Sequence, residues 1–126
     1  MSARYRLRFF FDYGSGICLW SDNDAALEAF DYPVAANRLP LSPETVRRAD
    51  EVLAWYDRSL NWDDPGAPLL WRQEECDRFN AAVRALLASL REELGEEFEV
   101  VDEFRGLAEE PHLDAYLADP DGFRSP

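Results

Sequence analysis

The chain has 126 residues, 47% of them hydrophobic, which excludes a disordered polypeptide and suits one domain with its own core. It carries 26 acidic and 13 basic residues, a formal net charge of −13, so it repels nucleic-acid phosphates and favours a basic protein partner. All 13 bases are arginine, and the absence of lysine excludes Schiff-base and P-loop lysine chemistry.

The N-terminus and the cysteines indicate the compartment. The first residues, MSARYRLRFFF, lack the long apolar run and small-residue cleavage site of a signal peptide. No stretch approaches about 18 apolar residues, so no membrane span is expected. Two cysteines, Cys18 and Cys76, do not make a disulfide framework. We therefore expect a cytoplasmic protein without a membrane partner.

A β-hairpin is predicted at the start of the chain. Residues Arg4–Phe11 alternate between large apolar side chains and mostly arginines, which is typical of a strand with one buried face. The turn Asp12-Tyr13-Gly14-Ser15-Gly16 is rich in residues that tolerate positive φ. A second, short strand is predicted over Ile17–Trp20.

Helix start signals follow the hairpin. The run Ser21-Asp22-Asn23-Asp24 is typical of an N-cap and predicts a short helix over residues 25–30. Pro33 and Pro40 predict an irregular connection after it. Ser42-Pro43-Glu44 combines an N-cap, a first-turn proline and an acid, and predicts a helix that continues to about Ser59.

The clearest period in the chain lies between Arg72 and Leu94 and predicts the helix around which the fold is organised. Gly95 follows, where a residue with positive φ can close the last turn. Alternation over Glu97–Phe104 predicts a third strand. The apolar side chains that recur at three- and four-residue steps in the helix are Cys76, Phe79, Val83, Leu86, Leu87, Leu90 and Leu94.

Charges on the strands suggest how the sheet is assembled. The outward face of the first strand carries Arg4, Arg6 and Arg8, and that of the third carries Glu99 and Glu103. Opposite charges across neighbouring strands stabilise by roughly 0.2–1 kcal/mol per pair, so we predict that the first strand is central and lies beside the third. The alternative is that both faces are merely solvated.

Together these elements predict an α+β fold. The sheet is three-stranded and mainly antiparallel, two long helices pack on one of its faces, and the order is β-β-α-α-β. We expect a single domain over residues 1–126, in which residues 105–126 form a polar C-terminal extension. Within that extension, Leu113, Tyr116 and Leu117 are spaced for one or two helical turns.

Signals for chemistry are sparse. His112 is the single histidine, and with two distant cysteines it forms no familiar zinc spacing. Asp63 and Asp64 adjoin but lack the spaced ligands of a calcium loop. We therefore predict no catalytic residue, no metal and no cofactor. The sequence leaves the oligomeric state open, including a homo-oligomer paired through its helices.

An alternative reading rests on the glycine turn. Asp12 with Gly14-Ser15-Gly16 resembles the first phosphate loop of the actin and sugar-kinase fold, in which backbone amides cradle phosphate. The resemblance covers five residues, and the other nucleotide-binding motifs are missing. A tight hairpin turn is the better interpretation, but a small ligand-binding or enzymatic domain at this turn stays open as the second hypothesis.

The stretch Trp55–Trp71 carries the clearest signal for binding. It holds three of the four tryptophans together with several acids, and tryptophan is rich in binding energy when it meets a partner. The alternative is that these tryptophans cover the ends of the two long helices and plug the loop into the core. The predicted partner-binding residues are Trp55, Asp57, Asn61, Trp62, Asp63, Asp64 and Trp71.

Three phrases of the sequence resemble those of small acidic bacterial proteins without an assigned activity: RFFFDYGSGICLW, WYDRSLNW and FNAAVRALLASLREELGEEFEV. In size and charge such proteins are similar to the immunity proteins that neutralise toxins of interbacterial competition. The resemblance implies an inhibitor that binds a basic toxin domain directly. It assigns no role to any single residue.

Overall fold

The computed structural model describes residues 3–123 and contains three strands and four helices in those residues. Single-turn 3-10 helices at Ala36–Arg38 and Gly95–Glu97 lie between the longer elements. The chain is therefore an α+β protein, as predicted. In chain order the elements are β1 (Tyr5–Phe9), β2 (Leu19–Ser21), α1 (Asp24–Phe30), α2 (Pro43–Asp57), α3 (Gln73–Leu94), β3 (Phe98–Asp102) and α4 (Leu113–Ala118).

The three strands form one sheet in the order β2-β1-β3. As predicted, β1 is central and lies beside β3. It pairs antiparallel with β2, where Arg8 faces Trp20, and parallel with β3, where Arg8 faces Val101. The prediction of a mainly antiparallel sheet is therefore only partly confirmed: the β1–β2 pair is antiparallel, the β1–β3 pair is parallel, and the sheet is mixed.

The connection between β1 and β3 explains the parallel pair. Parallel strands need a crossover of a dozen or more residues, and the three helices α1 to α3 lie between β1 and β3. Side chains alternate in the same way in parallel and antiparallel strands. The sequence pattern therefore locates the strands but carries no information about their direction.

The charge pairing across the sheet is only partly as predicted. Arg8 forms an ion pair with Glu103 at 2.7 Å, and the hydrogen bonds from Arg8 lower the pKa of the Glu103 carboxyl. Arg6 lies opposite Glu99 in the register, yet its ion pair is with Asp22 at 2.8 Å. Asp22, which follows β2, thus takes the place of Glu99 on β3 as the partner of Arg6.

The core lies between the sheet and the two long helices. Leu7 and Phe9 of β1 and Phe79 of α3 are fully buried. Phe79 contacts the rings of Phe11 and Phe104, whose centroids lie 6.0 and 6.1 Å away, so α3 packs over the inner face of the sheet. Every apolar residue of the predicted α3 stripe is buried: Cys76, Phe79, Val83, Leu86, Leu87, Leu90 and Leu94.

Capping fixes where the helices begin and end. The side chain of Asn23 accepts from the amide of Ala26 at 3.0 Å, and that of Ser42 accepts from the amide of Thr45 at 3.2 Å. Helix α3 has no side-chain cap from its preceding residue. It ends at Gly95, whose φ of 73° is in the left-handed region that glycine adopts without strain.

The segment after β3 wraps the body rather than projecting from it. The side chain of Asn80 donates to the carbonyl of Leu107 at 2.8 Å and accepts from its amide at 2.9 Å. Leu113 and Tyr116 of α4 are buried. Of the helices within residues 3–123, none has the length and apolar character that crossing a membrane requires.

Candidate functional site

Trp62 is the most exposed tryptophan of the described chain, and it lies in the loop between α2 and α3. Its side chain is 55% exposed. The indole N–H donates to the carbonyl of Asp57 at 2.6 Å, and the ring meets that of Tyr13 edge-on with centroids 6.4 Å apart. The loop therefore holds a large apolar surface in a fixed orientation towards solvent.

The loop after α2 lies directly against the turn between β1 and β2. The amide of Gly14 donates to Oδ1 of Asp57 at 3.0 Å, and the hydroxyls of Tyr13 and Ser59 are 2.8 Å apart. The ring of Tyr13 stacks on that of Tyr56 with centroids 4.1 Å apart. Two stretches that are more than 40 residues apart in sequence thus form one continuous surface.

Asn61 organises the acidic part of the loop. Its Oδ1 accepts from the amides of Asp63 and Asp64 at 3.1 and 3.2 Å. Its Nδ2 donates to the hydroxyl of Tyr116 at 2.9 Å, and that hydroxyl lies 3.4 Å from Oδ2 of Asp64. Asp63 and Asp64 are exposed. Their backbone is therefore held, while two carboxylates remain close to Trp62 in the chain.

The other two tryptophans of the predicted set have a structural role. Trp71 is only 8% exposed, and Trp55 is partly buried against the core. Their rings lie 5.7 Å apart, and each lies 5.2 Å from the ring of Phe79. They cover the end of the helix pair, which was the alternative interpretation of this stretch, and Trp71 offers little accessible surface.

Of the predicted binding residues, the structure therefore brings five together at the end of α2 and in the loop that follows it, and places two in or against the core. Sequence reasoning missed Tyr13 and Tyr116, both of which contact this loop. The sign that could have identified Tyr13 is a single aromatic residue within a turn of small and polar residues. Tyr116 gave no such sign, because the apolar spacing of a short helix does not show on which surface the helix docks.

The glycine turn is not arranged as a phosphate cradle. The amide of Gly14 is already bonded to a carboxylate oxygen of Asp57. The amide of Ser15 donates to the carbonyl of Asp12 at 3.1 Å, and the amide of Ile17 donates to the hydroxyl of Ser15 at 3.1 Å. These donors are used within the fold, and the adjacent carboxylate repels anions, so the geometry gives no support to the ligand-binding hypothesis.

The groups that commonly carry chemistry are also unfavourably placed. Cys18 and Cys76 are buried, and burial raises the pKa of both thiols, that of Cys18 to about 12. Burial thus disfavours the thiolate form through which a cysteine reacts. Within residues 3–123, no three side chains of histidine, cysteine, aspartate or glutamate form a group that could hold a metal ion.

Comparison with known proteins identifies the family. None of the curated proteins matches the chain. A protein-family model described as Serratia CdiI immunity protein-like matches residues 5–102, well over half of the 126 residues. The matched part contains the whole sheet, helices α1 to α3 and the loop that carries Trp62. The resemblance to immunity proteins of interbacterial toxin systems is therefore confirmed, and the chain belongs to the Serratia CdiI immunity protein-like family.

Proposed function

We propose that this protein neutralises a toxin by binding it directly, with the surface formed by the α2–α3 loop and the β1–β2 turn. We call this the Trp62 surface, and it consists of residues 12–14 and 57–64. Membership of an immunity-protein family supports a toxin as the partner. The observation that carries the proposal is Trp62 itself, which is 55% exposed and yet held by a hydrogen bond from its indole N–H.

The energetics of interfaces favour such a residue as an anchor. Binding energy is concentrated in a few residues, among which tryptophan is enriched, and these residues lie in well-packed centres of the interface. Trp62 already has its orientation set by Asp57 and Tyr13. A partner that covers it therefore gains apolar burial without a large cost for ordering the side chain.

Charge on this surface favours a basic partner. Arg58 is the only base in the Trp62 surface, which carries four acids: Asp12, Asp57, Asp63 and Asp64. None of these four acids forms an ion pair within residues 3–123, whereas Arg6 and Arg8 on the outer sheet face are both paired. The negative charge at the loop thus remains available to attract cationic groups of a toxin.

Titration of the toxin's activity tests the proposal. The partner to use is a toxin domain whose gene lies beside the gene for this protein, with the toxin's activity measured against increasing amounts of the purified protein. We expect complete inhibition at one-to-one stoichiometry. A toxin that stays fully active at stoichiometric mixing would refute direct neutralisation.

A pair of variants tests the anchor. Trp62→Ala is expected to weaken toxin binding by roughly 30-fold or more, because loss of a central aromatic anchor typically costs about 2 kcal/mol or more. Leu27→Ala is the matched control, since Leu27 is also exposed, at 49%, but lies on α1. The affinity of this variant for the toxin should be that of the wild-type protein. Calorimetric titration of both variants measures the difference. Equal affinities for the two variants would contradict the assignment of Trp62.

A further inference from the structure

The hydroxyl of Tyr116 joins the C-terminal helix α4 to the acidic end of the α2–α3 loop. It accepts a hydrogen bond from Nδ2 of Asn61 at 2.9 Å and donates to Oδ2 of Asp64 at 3.4 Å. The ring of Tyr116 is buried, so the hydroxyl has a fixed position. One atom of the C-terminal segment thus contacts two side chains of the loop at once.

Helix α4 is itself anchored to the start of α3. Arg72 forms an ion pair with Asp114 at 2.8 Å, and Leu113 is buried. Gln73 and Glu109 exchange two hydrogen bonds, each of 3.0 Å, between the backbone amide of one and the side-chain oxygen of the other. The position of Tyr116 is therefore set by the body of the protein and not by the loop it contacts.

The two bonds of the hydroxyl select one arrangement of the loop. The amide of Asn61 must present its oxygen to the backbone N–H groups of Asp63 and Asp64, and its NH₂ group must then point the other way. An acceptor at the position of the Tyr116 hydroxyl favours that orientation over the reverse one. The same hydroxyl gives one carboxylate oxygen of Asp64 a donor, which limits the rotamers of that side chain.

We infer that Tyr116 is a positioning residue for toxin recognition, because it holds Asn61 and Asp64 in the arrangement that the partner meets. The inference rests on the proposed function of the loop. It gives a role in recognition to a residue of the C-terminal segment, which lies beyond the family match that ends at residue 102. The C-terminal segment thereby contributes to affinity through the order of the loop.

The first test measures the order of the loop in the free protein. Tyr116→Phe removes the hydroxyl and keeps the buried ring, and Tyr32→Phe removes the hydroxyl of a half-exposed tyrosine whose ring lies against Trp20. Amide hydrogen exchange at Asp63 and Asp64 is expected to be roughly three- to tenfold faster in Tyr116→Phe, the range for one lost hydrogen bond, and unchanged in Tyr32→Phe. Unchanged exchange in Tyr116→Phe would overturn the inference.

The second test uses a double-mutant cycle on toxin binding. Tyr116→Phe and Asn61→Ala should each weaken binding by roughly three- to tenfold, and the double variant should be little weaker than Asn61→Ala alone because both changes break the same arrangement. Fully additive effects would overturn the positioning role. If the wild-type protein does not bind the toxin, the proposed function fails, while the exchange experiment still decides the role of Tyr116.

Discussion

At the scale of single residues, the surface depends on a few close contacts between the β1–β2 turn and the α2–α3 loop. Gly14 has a φ of 77°, and a Cβ atom added to it would lie 3.5 Å from Cη2 of Trp62. Its amide also donates to Asp57, whose carbonyl in turn accepts from the indole of Trp62. The glycine therefore combines a backbone requirement with a position directly beside the proposed anchor.

Substitution of Gly14 separates this requirement from general effects of glycine replacement. We expect Gly14→Ala to lower the free energy of unfolding by about 1–2 kcal/mol, because a side chain in the left-handed region is strained. Gly66→Ala in the α2–α3 loop is the control, since Gly66 lacks positive φ and a Cβ atom added to it would meet no atom within 4 Å. Urea denaturation measures both variants. Equal losses of stability in the two variants would show that the turn geometry at Gly14 is not a constraint.

At the scale of elements, Glu93 ties the end of α3 to the beginning of α2. Its Oε1 accepts from the backbone amide of Ser42 at 2.6 Å, and its Oε2 accepts from the hydroxyl of Thr45. These hydrogen bonds, that from the Ser42 amide first, lower the pKa of the Glu93 carboxyl. An anionic side chain at the N-terminus of α2 also interacts favourably with the helix dipole.

This contact predicts a specific pH dependence of stability. Because the pKa of Glu93 is lower in the folded state, the contribution is present above the unfolded pKa of about 4.3 and is lost as the pH falls through the folded value. We expect Glu93→Gln to be less stable than wild type at neutral pH, with a difference that shrinks on acidification. Glu92→Gln, which removes a neighbouring exposed charge, should show no such pattern in urea midpoints. A difference for Glu93→Gln that stays constant with pH would contradict this role.

The elements themselves could largely be predicted from the sequence, because local periodicity and capping residues determine them. The stripe of α3 and the cap at Ser42 are where the pattern placed them. The direction of β3, the partner of Arg6 and the docking of Tyr116 on Asn61 could not be predicted, because each depends on how the chain returns through space. That Trp62 is exposed while Trp71 is buried could not be predicted either, since both lie in one aromatic stretch of the sequence.

At the scale of the whole molecule, the net charge of −13 is unevenly compensated. On the outer face of the sheet, Arg6 forms an ion pair with Asp22, and Arg8 forms one with Glu103. The Trp62 surface instead carries acids without ion pairs among residues 3–123, beside an exposed indole. Long-range attraction and an apolar anchor thus coincide at one place, a combination that suits fast association with a basic protein.

The most direct test of this account is hydrogen exchange with mass spectrometry on the protein alone and in complex with its toxin. The account predicts that binding increases protection over residues 12–14 and 57–64, while peptides from β3 and α1 exchange as in the free protein. Protection confined to peptides from β3 or α1, with no change at the peptide that contains Trp62, would contradict it.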